Sequence, residues 1–386
     1  MKTKARVIAY YLPQYHPIPE NDKYWGKGFT EWRNVGKAKP LFRGHNQPRV
    51  PADLGYYDLR LPEIREEQAA LAREAGIEGF CYWHYWFGNG KQLLEMPFNE
   101  VLRTGKPDFP FCLGWANHNW TNKTWTVGGT FQKDSMIMEQ IYPGMEEHKM
   151  HFYALLPAFK DSRYITVDGK LLFVVFRPLD IPNSQGFIRL WNELAIKEGL
   201  AGFHFVGVET SLSIFSNCES SKKIMYDGKE TTKKLFQRVL EAGYDGINSR
   251  GMNLAHIRYD SMFKYYLKKA MKNFFKWQGV IKYDFEKVSK LLFTEEDKWE
   301  NVYPTIIPNW DRTPRNGKNA IVWYHNNPKY FKEEVEIALD IIKNKSKEHK
   351  ILFLMSWNEW GEGNYMEPDI EFGKGYINAL REAIEE

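Results

Sequence analysis

Two glutamates three residues apart, Glu359 and Glu362, are the residues of this sequence best placed to do chemistry. They stand in Ser356-Trp357-Asn358-Glu359-Trp360-Gly361-Glu362-Gly363, directly after the apolar run Ile351 to Met355. Carboxylates set among indole rings lose part of their hydration, which raises the pKa of at least one of them. Two carboxyls in unlike surroundings supply an acid and a base from one residue type. Glycosidic bond cleavage needs that pairing, with one protonated group on the leaving oxygen and one ionised group across the reaction. The structural alternative is that both glutamates cap a loop or pair with arginines. A spacing of three in an irregular loop leaves the carboxyl separation open, and with it the choice between retention and inversion.

Other polar and aromatic residues follow apolar runs in the same way. Trp115, Asn117, His118 and Trp120 lie in GWANHNWT, and His84 and Tyr85 in GFCYWHYWF. Glu209 closes FHFVGVE, and Trp310 and Asp311 stand in PNWDRTPR. Sugars present apolar C–H faces together with hydroxyls, so rings mixed with amides, imidazoles and acids suit a saccharide pocket. Trp357, Asn358 and Trp360 would flank the reacting pair. Tyr11 and Tyr15, around the first strand exit, could donate hydrogen bonds to it. Each of these also has a plain reading as core packing or loop satisfaction, and Glu31, in FTEW, carries no assigned role.

Metal chemistry has little support. His148 and His151 are three apart on a charged helical stretch with no third ligand, and read as solvated surface. HExxH, paired CxxC and P-loop motifs are missing, as are the G-x-S-x-G elbow and an Asp-x-Asp pair. No metal or other cofactor is expected.

These residues need elements to hold them. Eight short apolar runs recur: Arg6–Leu12, Ile77–Trp86, Phe109–Ala116, Leu171–Phe176, Phe203–Val208, Tyr244–Ile247, Tyr303–Ile307 and Ile351–Met355. Continuous apolar runs suit parallel strands covered on both faces. Helical patterns lie between them at Pro62–Ala75, Ile188–Glu198, Leu235–Ala242 and Phe331–Lys343, with Tyr376–Ile384 closing the chain. The expected fold is α/β: one (β/α)8 TIM barrel over residues 1–386, with long βα loops at the C-terminal rim where such barrels do chemistry. A doubly wound sheet would want a glycine-rich first turn, and this one reads LPQYH.

Composition bounds the partners. A net charge of +4 on 386 residues predicts no nucleic-acid partner. Three cysteines make a disulfide framework unexpected, and Cys81 and Cys112 read as buried thiols. Neither a signal peptide nor a run of about 18 apolar residues is present, so a cytosolic chain is expected. A Lys-rich helical insertion is expected over about 258–300. Within it, Ser261–Trp277 holds five lysines and no acid. Such a helix either packs on the barrel with its lysines in water or makes peripheral contact with an anionic membrane.

Taken together, YYLPQYHPIPEND, YWGKGFTEW, GFCYWHYWF, GWANHNWT, PNWDRTPR and WNEWGEG resemble the WbsX family, which is similar in turn to glycoside hydrolase family 99, the endo-acting α-mannosidases and mannanases. The match runs from Arg6 to beyond Glu367. The resemblance implies a (β/α)8 barrel, chemistry without a metal, and an E-x-x-E pair that falls on Glu359 and Glu362. It implies that Glu359 assists the sugar's own 2-hydroxyl as internal nucleophile. Glu362 would act as general acid and then base, with a 1,2-anhydro sugar between the steps and net retention. Two features depart from the pattern: the first strand ends in LPQY instead of a tryptophan-rich turn, and the lysine-rich segment does not map onto it. WbsX-type proteins are associated with surface polysaccharide assembly. The expectation is therefore an endo-acting, retaining glycoside hydrolase on an oligo- or polysaccharide. The alternatives are a glycosyltransferase of O-antigen or polysaccharide biosynthesis and a noncatalytic glycan-binding barrel.

Overall fold

The computed structural model describes residues 2–121, 136–209, 229–274 and 279–386. Eight strands form the centre: β1 Arg6–Tyr11, β2 Gly79–Trp86, β3 Phe111–Trp115, β4 Lys170–Val175, β5 Phe203–Val208, β6 Gly246–Ser249, β7 Val302–Ile306 and β8 Ile351–Leu354. Each pairs in parallel with the next, and β8 returns to β1 with Arg6 opposite Ile351, so the sheet closes into a barrel. Closure leaves no unpaired edge. The helices are α1 Pro62–Glu74, α2 Met96–Thr104, α3 Met145–Phe159, α4 Ser184–Lys197, α5 Lys229–Glu241, α6 Met252–Asp260, α7 Met262–Phe274, α8 Pro328–Ile342 and α9 Gly375–Ile384. Pro62 in the first turn of α1 and Asn327 capping α8 through the Lys329 N–H begin two of them where local chemistry directs.

Alternation along each strand sorts side chains between the barrel axis and the helix layer. Tyr10 points inward and stacks on Trp83, with ring centroids 4.5 Å apart, and on Phe353 at 5.2 Å. Gly114 makes room for this layer: a Cβ there would lie 3.0 Å from the Trp83 ring. Tyr11 points the other way and donates to Gln68 Oε1 on α1. Cys81 and Cys112 are buried thiols at paired positions on β2 and β3, and Cys218 lies outside the described residues.

A second, three-stranded sheet stands beside the β7–β8 rim. Ile281–Asp284 pairs in parallel with Ile321–Tyr324, which pairs antiparallel with Trp310–Asp311. Tyr283, Phe285, Trp310, Trp323 and Met355 pack beneath it. The lysine-rich segment leads into this sheet. In α7, Tyr265 is buried and Lys268 pairs with Asp260 at 2.6 Å, while Phe263 is 77% exposed. Residues 275–278 lie outside the described residues. No helix among the described residues is long and apolar enough to cross a membrane.

Candidate active site

A cleft of about 390 Å³ opens at the C-terminal ends of the barrel strands. Leu12 and Gln14 reach it from the end of β1, Trp83 and Tyr85 from β2, Ala116 and His118 from the end of β3. Phe176 and Arg177 follow β4, Arg250 follows β6, Trp310, Arg312 and Arg315 follow β7, and Glu359 and Glu362 follow β8. Residues 210–228, which follow β5, are outside the described residues.

At its floor, three carboxylates converge on one guanidinium. Arg315 Nη1 donates to Glu359 Oε1 at 2.8 Å and to Glu362 Oε1 at 2.6 Å. Its Nε and Nη2 meet Glu31 Oε1 at 3.0 and 2.8 Å. Arg312 Nη2 adds a second contact to Glu362 Oε1 at 2.7 Å. Glu31 is fully buried and Arg315 is 5% exposed. The short helix Thr313–Asn316 carries Arg315. Asp311 starts that helix by accepting from the Thr313 N–H at 2.9 Å and the Thr313 hydroxyl at 2.6 Å. Gly361 lets Glu31 approach, because a Cβ there would stand 1.7 Å from Glu31 Oε1. Gly363, at φ +56°, turns the chain over Asp311 in a conformation that suits glycine.

With all groups ionised, three carboxylates face two guanidiniums, and one proton removes the excess charge. Burial pushes Glu31 up to about 8, with Arg315 opposing. Burial also raises Glu359, and the neighbouring charge of Glu362 adds to it. Glu362 goes the other way: burial would raise it, but Arg312 and Arg315 together hold it below the usual carboxylate range. Oxygens on one nitrogen cannot stand farther apart than the two hydrogen bonds end to end. In the free cleft the pair therefore consists of a proton-favouring Glu359 close beside an ionised Glu362.

Of the other residues singled out in the sequence, Tyr85, His118, Trp120 and Trp310 line the cleft. The rest lie behind it. Tyr15 donates to the Asn358 carbonyl and accepts from the Trp360 N–H at 3.1 Å. Asn358 clamps the Leu12 backbone through both amide atoms, at 2.8 and 3.0 Å, tying β1 to the β8 loop. Trp360 stacks on Tyr365 at 3.7 Å and donates to Glu367, which also accepts from Gln68 and Tyr57. Trp357 packs against Phe80. Asn117 bridges Tyr142 and the backbone of Arg177. Asp311 is enclosed by His45, Gln47 and Thr313. Glu209 is buried at the end of β5, its N–H on the Asn248 carbonyl.

Tyr11, His84 and Trp115 have the wrong parity for the cleft and face the helix layer. His84 Nε2 meets His151 Nε2 at 2.9 Å, and Trp115 donates to the Trp86 carbonyl and packs against His151. His148 and His151 are accordingly buried, where the sequence suggested solvated surface. Glu146 and Lys149 of α3 are exposed, while Glu147 is buried with the histidines and accepts from the Trp86 indole N–H at 2.9 Å. Sequence reasoning passed over Arg177, Arg250, Arg312 and Arg315 and gave Glu31 no role. The one available signal was RTPR directly after Asn309-Trp310-Asp311.

The model of the family described as Glycosyltransferase WbsX matches residues 7–380. The chain belongs to the WbsX family. It is 31% identical over 389 aligned positions to "Uncharacterized protein WxcX" of Xanthomonas campestris pv. campestris (strain B100), covering 98% of this chain and 50% of that protein. This WbsX chain thus spans about half the length of the curated relatives it matches. Among solved structures, a "Glycoside hydrolase-like protein" aligns with a TM-score of 0.57 at 14% identity, over 99% of this chain and 94% of its own. The GH99 endo-alpha-mannosidase from Bacteroides thetaiotaomicron aligns with a TM-score of 0.51 at 15% identity, over 98% and 95%. Likeness at that identity establishes a shared barrel fold.

Proposed function

We propose that this WbsX protein is a carbohydrate-active enzyme that cleaves glycosidic bonds within a surface polysaccharide or its precursor, with retention, using Glu359 and Glu362. The observation that carries the reading is the single Arg315 nitrogen shared by the two carboxylates inside an aromatic-walled cleft. Inverting pairs stand roughly 6.5–9.5 Å apart to leave room for a water between them, and two carboxylates held on one nitrogen are too close for that. Family membership supports a carbohydrate-active enzyme, and the barrel shared with a glycoside hydrolase is compatible with cleavage.

In this reading Glu359 takes the proton of the sugar 2-hydroxyl as its oxygen attacks C1, and Glu362 gives a proton to the departing oxygen. Water then opens the 1,2-anhydro sugar, losing a proton to Glu362 while Glu359 returns one to O2. The resting electrostatics raise Glu359 and lower Glu362, the reverse of the order this step needs, so substrate binding has to change that balance. Arg312 is the partner to displace: its side chain is 35% exposed, against 5% for Arg315. A leaving oxygen that draws Arg312 off Glu362 weakens the main charge holding that carboxyl ionised.

The family's description favours a second reading, transfer from an activated sugar. Incubation with O-antigen and mannan fragments, read by mass spectrometry with and without nucleotide sugars, separates the two. Cleavage without a donor, lost in Glu359→Gln and Glu362→Gln, supports hydrolysis. Product formation only with a nucleotide sugar overturns it.

A further inference from the structure

We propose that the cleft contains, beside the carboxylate pair, a subsite for an oxyanion carried by the saccharide, built by Arg177 and Arg250, which both pack against the Phe176 ring. The Arg177 guanidinium lies 5.4 Å from the centre of that ring and the Arg250 guanidinium 5.2 Å from it, with Arg250 also 5.6 Å from Tyr10. Both side chains line the cleft. Their treatment differs from that of the other two arginines. Arg312 and Arg315 are matched to glutamates, whereas among the described residues neither Arg177 nor Arg250 makes an ion pair. The Nε atoms of both are buried without a hydrogen-bond partner.

Two like charges gathered around one aromatic ring repel each other, and each gives up part of its hydration. A group with two or more negatively charged oxygens reverses both costs, since guanidinium forks match carboxylate and phosphate geometry. His118 completes the corner, its ring 5.1 Å from Phe176. Burial, followed by the charge of Arg177, holds that imidazole near 4, so at neutral pH it is uncharged and offers one N–H. Arg250 also acts on Glu362, which sets the subsite next to the reacting bond. The inference deepens the saccharide reading by naming an acidic substrate. The charge belongs either to a ring carboxylate or to a phosphate at the activated end of a chain.

The test is calorimetric titration of the whole chain with glucuronate, inorganic pyrophosphate and neutral glucose. Either anion should bind more tightly than glucose. The double variant Arg177→Gln/Arg250→Gln should weaken anion binding by on the order of 10- to 100-fold, as expected for lost charge-assisted hydrogen bonds. Arg177→Lys/Arg250→Lys should restore part of it. The Asn117 bonds at this position use the Arg177 backbone, so they survive substitution. Preference for glucuronate identifies an acidic sugar, and preference for pyrophosphate an activated end. Equal binding of glucose and both anions, or anion affinity unchanged in the double variant, overturns the subsite. Should neutral oligosaccharides be cleaved while anions gain nothing, the subsite falls and the saccharide reading stands. Should anions bind through the two arginines while no saccharide binds, the saccharide reading falls instead.

Discussion

Glu359 and Glu362 accept hydrogen bonds from the same nitrogen of Arg315, at 2.8 and 2.6 Å. That sharing makes their protonation a property of the pair. It also divides the predicted behaviour of the two carboxyls.

Replacing either glutamate by glutamine should lower turnover by on the order of 10²- to 10⁴-fold, the range for positioned proton transfer. The two variants should part company on a substrate with a strongly activated aryl leaving group. That group needs no protonation, so Glu362→Gln should recover much of its rate while Glu359→Gln should not. Steady-state kinetics on both substrates reads the difference, and equal recovery by both variants contradicts the assigned roles.

Arg312→Gln removes the largest influence holding Glu362 ionised. Glu362 should then keep its proton to higher pH, and the alkaline limb of the kcat/KM profile should move upward. Arg315→Met differs in kind. It strips Glu31, Glu359 and Glu362 of their common partner and should destabilise the fold by about 3–5 kcal/mol, the usual result of breaking a buried pair. Thermal unfolding of the two variants side by side distinguishes them.

Gly361→Ala would drive a methyl into Glu31 Oε1. The expected cost is about 1–3 kcal/mol of stability, as for other overpacked sites. Activity should fall with it, because Arg315 loses its anchor, and circular dichroism melts with parallel assays check both.

The buried carboxyls should make stability fall as pH rises from about 4.3 to about 8. Burial raises Glu31 to about 8 and Glu367 to about 7, against about 4.3 for an unfolded glutamate. Between these values the folded chain holds protons that the unfolded chain has released, so the contribution is complete below the lower value and lost through the upper ones. His84, held near 3 by burial, acts in the opposite sense and only below about 6.5. Denaturant melts between pH 6.5 and 8 should therefore show declining stability. Glu31→Gln should flatten that decline, and an unchanged slope in the variant would count against a protonated Glu31.

Tyr11→Phe should leave KM and kcat unaltered, because its hydroxyl serves Gln68 and not the cleft. Stranding Gln68 Oε1 should cost about 1–3 kcal/mol in unfolding experiments.

The eight strands were legible in the sequence because strands buried on both faces leave unbroken apolar runs, and the observed limits fall within a few residues of the expected ones. Glu359 and Glu362 were legible because strand, turn and both acids lie in one continuous stretch. The same unbroken runs hid which parity faces the axis. With no polar alternation along β1, β2 or β3, nothing local separates Tyr10 from Tyr11, Trp83 from His84, or Gly114 from Trp115. Closure of the barrel made that choice. Arg315 stands 284 positions from Glu31 and 47 from Glu362, so the cluster that sets the pair's protonation exists only once distant loops meet over the rim. The types of the reacting groups were written locally, and their charge states were decided by burial and by partners that only the tertiary fold brings together.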